Sequence, residues 1–423
     1  MKLRSRMVLA VALAVAAPAA LAQAKNDLLS IYRDALANDA VFAGARATRV
    51  AAEERVPQAR AGLLPSAAAT VGVDREYSSS DAIIPQTGTR VGVSTSNGWG
   101  PALSLTVPLY RPQALDSLDQ AKLQVVTAEA TLAQSRQDLV LRVTQAYFDV
   151  LAAEDTVTAI EASKRATAEQ LAQAKREFEV GTKTIVDTHE AQARYDQIVA
   201  QEQVARGDLI VRQNALRSVI GRDAGSLLPL RDAPQLIPPE PNDMEAWSKR
   251  AEEGNPSVTV FRATAQIAGI ETERSRHGHY PTLDLVARAG RNQTFGGNPD
   301  ITSRSGSVGL QVTIPIYSGG FTQSRVRETL ALEERARFDL ENARRTAAQS
   351  ARQAFTGANY GLAQVRALES AEVSARSQLD STRLGYQVGV RINLDVLNAQ
   401  TQLFNTQRDL KRARYDVLLN GLR

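Results

Sequence analysis

His277 and His279 stand two residues apart beside a predicted strand, a spacing that could offer two imidazoles to one metal ion. No third ligand lies near them in sequence, so a metal site is not expected. His189-Glu190 opens an H-E-x-x-H look-alike, but position 193 is Ala and the second imidazole is missing. "VGTKT" (180–184) resembles half a phosphate loop without the upstream glycine or the Gly-Lys order. There is no G-x-S-x-G elbow and no cysteine. The carboxylates alternate with Arg and Lys on predicted helix faces, as solvated coiled-coil surfaces do. No catalytic site, cofactor or metal is expected.

A different pattern recurs. "FEVGTKTIVDTHEAQ" (178–192) returns as "YQVGVRINLDVLNAQ" (386–400), 208 positions later. Each copy breaks a helix-prone stretch at a glycine, Gly181 and Gly389, where a left-handed turn costs glycine little. The second copy adds Tyr386 and Arg391 near a carboxylate, Asp395.

These residues belong to a doubled plan. "DLLSIYRDALANDAVFAGARAT" (27–48) parallels "DMEAWSKRAEEGNPSVTVFRAT" (243–264), and Pro65 parallels Pro281, both at an offset of 216. Pro108 parallels Pro315 at 207, so the first copy carries a hairpin about nine residues longer. Each copy reads helix, strand, loop, strand, very long helix, break, long helix. Residues 113–228 and 316–423 contain no proline and are rich in strong helix formers. A helix from Gln113 to Val180 would run about 100 Å at about 1.5 Å per residue. Its seam at Leu139, Val143, Ala146, Val150, Ala153, Val157 and Ile160 is partly alanine, which permits close helix approach.

Four segments alternate with period two: 65–75, 101–110, 281–291 and 305–317. In the last, Val308, Leu310, Val312, Ile314 and Ile316 oppose Ser307, Gly309, Gln311 and Thr313. One apolar and one polar face over about ten residues suits a strand with lipid outside and water inside. Four strands cannot close a barrel, and an open edge cannot face lipid, so other subunits must complete the sheet. The Ser/Gly/Asn-rich stretches 75–100 and 292–306 read as outer loops.

"MKLRSRMVLAVALAVAAPAALAQA" (1–24) has the basic start, apolar centre and A-x-A end of a signal peptide. The formal net charge of +4 falls to about +1 without it, leaving 47 basic residues against 46 acidic. The sequence pI of about 9.3 therefore gives no argument for nucleic acid. After Ala24 no apolar run reaches the ~18 residues of a spanning helix. The expected organisation is 1–24 signal peptide, 25–225 first repeat, 226–242 proline-rich linker and 243–423 second repeat.

"LTVPLY"/"VTIPIYSGG", "AYFDVLAAEDTV", "VGTKTIVDTHEAQARYD" and "GYQVGVRINLDVLNAQTQLFNTQRDLKRARYDVLLN" together resemble the TolC family of outer-membrane efflux and secretion channels, over nearly all of the chain after Ala24. The resemblance implies a mainly α fold with a membrane β-barrel. A homotrimer would share a barrel of twelve strands, four per subunit, above a coiled-coil tunnel in the periplasm, with an equatorial belt that takes in the linker. It also implies residence in the outer membrane of a Gram-negative bacterium, contact with outer-membrane lipid, and docking to a periplasmic adaptor (a membrane fusion protein) and an inner-membrane transporter.

By position, Asp187, Tyr386 and Arg391 match residues that hold an iris-like periplasmic gate. Gly181, Thr182, Lys183, Gly389 and Val390 match the adaptor-docking tips. Asp395 matches a constriction ring. The sequence departs from the family pattern at Asn398, where a second acidic ring would fall, and at Val186, where the latch has a threonine. Similar proteins continue past "LLNGLR", implying a belt segment after Arg423. A wholly periplasmic coiled-coil adaptor stands as the alternative. It accounts for the helices but not for four amphipathic strands.

Overall fold

Aspartate, asparagine and glycine punctuate the helices. In the computed structural model, which describes residues 26–78, 82–83, 90–91, 94–230, 236–296 and 300–423, the helices and strands follow in this order. They are α1 (Leu28–Asn38), α2 (Ala40–Glu53), α3 (Arg55–Ala61), β1 (Ser66–Ser78), β2 (Ala82–Ile83), β3 (Arg90–Val91), β4 (Ser94–Tyr110), α4 (Pro112–Glu179), α5 (Ile185–Ile220), α6 (Met244–Gly254), α7 (Pro256–Arg276), β5 (Thr282–Phe295), β6 (Ile301–Thr313), α8 (Phe321–Gln387) and α9 (Asn393–Leu422). A single 3₁₀ turn, His277–His279, joins α7 to β5. The expected signal peptide and parts of the first outer loop and the linker lie outside the described residues.

The opening arm of each repeat, expected as one helix, is broken. The Asp39 carboxylate accepts the Phe42 N–H at 2.7 Å and starts α2 afresh. Asn255 caps α7 through the Ser257 N–H at 2.8 Å, with Pro256 at the first helical position. Side chains that satisfy the free N–H groups of a new helix compete with continuing the old one.

The chain forms two compact units. One comprises residues 26–38, 142–230 and 371–411. Ile31 and Ala35 of α1, Val143 and Val150 of α4, and Leu216 and Ile220 of α5 are buried in it. Of the expected seam, Leu139, Val143, Val150 and Ala153 are buried, while Ala146, Val157 and Ile160 are half-buried. Truncating Ile31, with no exposed surface, would cost about 2–5 kcal/mol. The Tyr147 hydroxyl donates to the Leu228 carbonyl at 2.6 Å, and burial pushes its pKa up to about 12. α5 ends on Gly221 at φ 72°, whose N–H returns to the Arg217 carbonyl. Farther along α5, Glu202 is buried and ion-paired with Lys164 at 2.7 Å and Arg206 at 2.6 Å. The Lys164 hydrogen bond holds that carboxyl below its ordinary range.

The other unit contains the antiparallel sheet, in the order β1-β4-β5-β6. Its register aligns Ala67, Leu105, Ala287 and Val308 in one cross-strand row, and Ala69, Leu103, Ala289 and Gly306 in the next such row. Between these, Ala68, Ser104, Arg288 and Ser307 point to the opposite face. One face is therefore apolar and the other mostly polar, with Val286 an exception.

Strand ends differ from the sequence reading. β6 stops at Thr313, so Ile314 and Ile316 are not in the strand, and Pro315 supplies no ladder donor. β4 passes through Pro108 only with a register shift before Tyr110. There Arg111 holds Asp284 through two hydrogen bonds of 2.9 Å. At the hairpin ends, residues outside the expected strands are strand: Glu76–Ser78, Ser94–Gly100, 292–295 and 301–304. The ladder continues where apolar alternation fades, because pairing needs only backbone groups.

Candidate functional site

The two glycine turns lie in the first unit. Where α4 ends, Gly181 takes φ 77°. The Gly181 N–H donates to the Phe178 carbonyl at 2.9 Å, and the Thr182 N–H to the Glu177 carbonyl at 2.9 Å. Where α8 ends, Gly389 takes φ 81°, its N–H reaches the Tyr386 carbonyl at 3.1 Å, and the Val390 N–H reaches the Gly385 carbonyl at 2.9 Å. Both are Schellman closures, which satisfy the last helical carbonyls and require a left-handed residue at one position. This is why the sequence repeats Val-Gly at both breaks.

The following helices start differently. Before α5, the Asp187 carboxylate accepts the Thr184 backbone N–H at 3.3 Å and the Thr184 hydroxyl at 3.1 Å. At the start of α9, Asn393 is fully buried. Its Oδ1 accepts from Gln170 Nε2 at 2.6 Å, and its Nδ2 donates to the Asp187 carbonyl at 3.3 Å. One amide thus ties together α4, α5 and α9. Arg194 of α5 also reaches the Thr401 hydroxyl of α9.

Tyr386 is 5% exposed and packs with Ala375, Leu379, Val396, Ala399 and Leu403. Its hydroxyl donates to Glu177 Oε2 at 2.7 Å, while Gln173 Nε2 donates to Glu177 Oε1 at 2.8 Å. The Lys183 ammonium sits 4.7 Å from the centre of the Tyr386 ring. Burial first, and then the Glu177 carboxylate, push the phenol pKa above its ordinary value. Among the described residues, Arg391 makes one ion pair, with Asp395 at 3.7 Å, both partly exposed. Such a pair is worth about 0–1 kcal/mol.

Asp187, Tyr386 and Arg391 are therefore near one another along the two tips but not bonded to one another within the chain. Asp187 serves its own helix, Tyr386 serves Glu177, and Arg391 serves Asp395. Asp395 is half-exposed and Asn398 exposed on α9. Gly181, Thr182, Gly389 and Val390 are exposed, with Lys183 half-buried under its contact with Tyr386. Phe178, Val180, Ile185, Val186, Val388 and Ile392 add exposed apolar surface around the two turns.

Sequence reasoning missed Glu177, Gln170 and Asn393. The repeat held a signal for the last: Asn393 stands where the first copy has Ile185, a polar residue replacing an apolar one at a matched position. His277, weighed as a metal ligand, lies in the second unit with its Nδ1 2.5 Å from Asp116. Among the described residues no group of three metal-ligating side chains occurs, and no helix is long and apolar enough to cross a membrane.

Comparison with known proteins agrees with this architecture. The family described as "Outer membrane efflux protein" matches residues 31–222 and 247–422. Outer membrane protein TolC of Escherichia coli (strain K12) is 32% identical over 413 residues, covering 95% of this chain and 82% of that protein. The alkaline protease secretion protein AprF of Pseudomonas aeruginosa is 30% identical, covering 92% of this chain and 82% of its own. The CmeC outer membrane channel of Campylobacter jejuni superposes with a TM-score of 0.80 at 18% identity, over 93% of this chain and 84% of that one. The two stretches of family match leave residues 223–246 between them. With its amphipathic sheet, paired glycine turns and full-length relatives, the chain belongs to the TolC family of outer membrane efflux proteins, passive channels of the Gram-negative outer membrane and not enzymes.

Proposed function

We propose that this chain is the exit duct of a tripartite efflux pump or a type I secretion system, working as a homotrimer whose sheets close into one twelve-stranded barrel. The observation that carries this reading is the sheet itself. It has one apolar face, and it ends in two edge strands, β1 and β6, unpaired among the described residues. An edge of free N–H and C=O groups is not tolerated in lipid, so each β6 must meet the β1 of another copy. Residues 25–225 and 243–423 act as two structural repeats joined through the 226–242 linker.

The tips around Gly181, Thr182, Lys183, Gly389 and Val390 dock the periplasmic adaptor, which couples the duct to an inner-membrane transporter. Their exposed apolar side chains support this role. Tyr386, Arg391 and Asp187 hold an iris-like gate between neighbouring coils. Arg391 suits it because, among the described residues, its one ion pair is long and leaves guanidinium donors for a neighbouring subunit. Asp395 rings the constriction, with Asn398 neutral one turn on.

Planar-bilayer conductance of the purified protein tests the reading. The Arg391→Ser, Tyr386→Phe double variant is expected to conduct more than wild type. Equal conductance in an assembled trimer would count against the gate. No conductance from either, with protein that needs no detergent, would count against the duct.

A further inference from the structure

The apolar face of the sheet ends in an unexpected pair. Ala287 and Ala289 of β5 lie on that face, and Arg291, two residues on, lies on it too. Its direct partner on β6 is Arg304. Both are exposed, and no carboxylate of a described residue pairs with either. Like charges directly opposite one another in a ladder are destabilising. Two guanidinium groups facing lipid are worse placed still, unless an anion lies between them.

Their level on the sheet identifies the surroundings. On β4 the apolar face runs from Tyr110 to Trp99, which at about 3.3 Å per residue and a tilt of about 40° covers roughly 25–28 Å, the height of a barrel's apolar band. The arginines sit at the hairpin end of that band, away from the helices that enter and leave the strands. Trp99, Gln293 and Thr302 share the next row, and Phe295 and Tyr77 lie beyond on the same face. Exposed aromatic side chains at that height mark the headgroup level of a bilayer. At Gly100, β4 comes so near β5 that any Cβ would meet the Arg291 carbonyl oxygen at 2.2 Å, which fixes the Arg291 backbone against its neighbour.

Subunit closure does not neutralise the pair. A β1 strand arriving beside β6 presents on this face Ala67, Ala69, Val71, Val73, Arg75 and Tyr77. It brings another cation and no carboxylate. We propose that Arg291 and Arg304 form a binding site, on the outer wall of the barrel, for the phosphate of a phosphorylated glycolipid in the outer leaflet. The proposal rests on the trimeric-barrel reading above. A phosphate accepts from two guanidinium forks at once, its charge removes their repulsion, and the acyl chains of the glycolipid lie along the apolar rows below.

The test titrates detergent-solubilised trimer with diphosphoryl lipid A, with lipid A stripped of both phosphates, and with inorganic phosphate, read by native mass spectrometry. Wild type is expected to bind the diphosphoryl form roughly tenfold or more tightly than the stripped form. Arg291→Gln with Arg304→Gln is expected to abolish that preference while single-channel conductance stays as in wild type. Arg291→Lys is expected to keep part of it. Equal binding of the two lipids by wild type overturns the proposal, and this arm needs no variant. Inorganic phosphate that displaces the lipid at equal concentration also overturns it, by making the site one for soluble anions. A wild-type chain that stays soluble without detergent overturns the barrel reading and this site with it.

Discussion

Phe178 and Tyr386 occupy equivalent places in the two hairpins, 208 residues apart, yet the first is 43% exposed and the second 5%. Ile185 and Asn393 are likewise equivalent, at 42% and 0%. The backbone closures around Gly181 and Gly389 are the same. The repeat therefore preserved a turn and changed what it buries. The first tip closes on itself, through Thr184 and Asp187. The second leans on the first, through Tyr386 to Glu177 and Asn393 to Gln170 and the Asp187 carbonyl. A turn of glycine chemistry can be copied freely, because its bonds are all local. Packing has to be asymmetric, since only one partner can supply the hydroxyl and the other the carboxylate.

Truncation is the strongest way to break that comparison. Tyr386→Ala is expected to destabilise the helical unit by about 3–5 kcal/mol, in the range for large buried aromatics. Phe178→Ala should stay within about 1 kcal/mol, because much of its ring is already in water. Similar shifts in denaturant midpoint for the two variants would remove the asymmetry. Asn393→Ala comes next. It leaves the Gln170 amide and the Asp187 carbonyl without their partner, at about 1–3 kcal/mol. Ile185→Ala, read on the same melting curves, should fall within about 0.5 kcal/mol.

The glycines sharpen the comparison from the other side. Gly181→Ala and Gly389→Ala should each cost about 1–2 kcal/mol, and by the same amount, since both turns need the same left-handed residue. A large difference between them would mean that the closures are not equivalent. The smallest effect at neutral pH is a titration. The folded Tyr386 phenol ionises at higher pH than the unfolded one, whose pKa is about 10. Stability from this group is thus complete below pH about 10 and is lost as pH rises from there toward the folded value. Tyr386→Phe should flatten that alkaline slope in chemical denaturation, while Phe178→Tyr should add almost none.

Much of this was legible in the residues. Val-Gly at both breaks announces a left-handed closure, proline-free Ala/Gln/Arg runs announce α4 and α8, and alternation announces a sheet with an apolar face. The strand ends were less legible. The sequence signal is apolar alternation, whereas the ladder runs on through Ser, Thr and Asn to Ser78 and from Ser94. The breaks in the arms were less legible too, because the caps at Asp39 and Asn255 interrupt apolar periodicity without erasing it. Glu177 was hidden for a different reason. Its partner lies 209 residues away, and one glutamate among many on a solvated helix carries no mark of the hydroxyl it will meet.

The period-two alternation of β1, β4, β5 and β6 also decides how this chain can be delivered. Sideways release from a translocation pore into the inner membrane needs a continuous apolar run, because it is the whole segment that partitions. Here most apolar residues of the strands are followed by a small or polar one, so no strand carries a long continuous apolar run. The surface that will dissolve in lipid does not exist in the extended chain. It is created when rows such as Ala67, Leu105, Ala287 and Val308 come side by side. Membrane affinity in this protein is a product of strand pairing, and it arises at the destination.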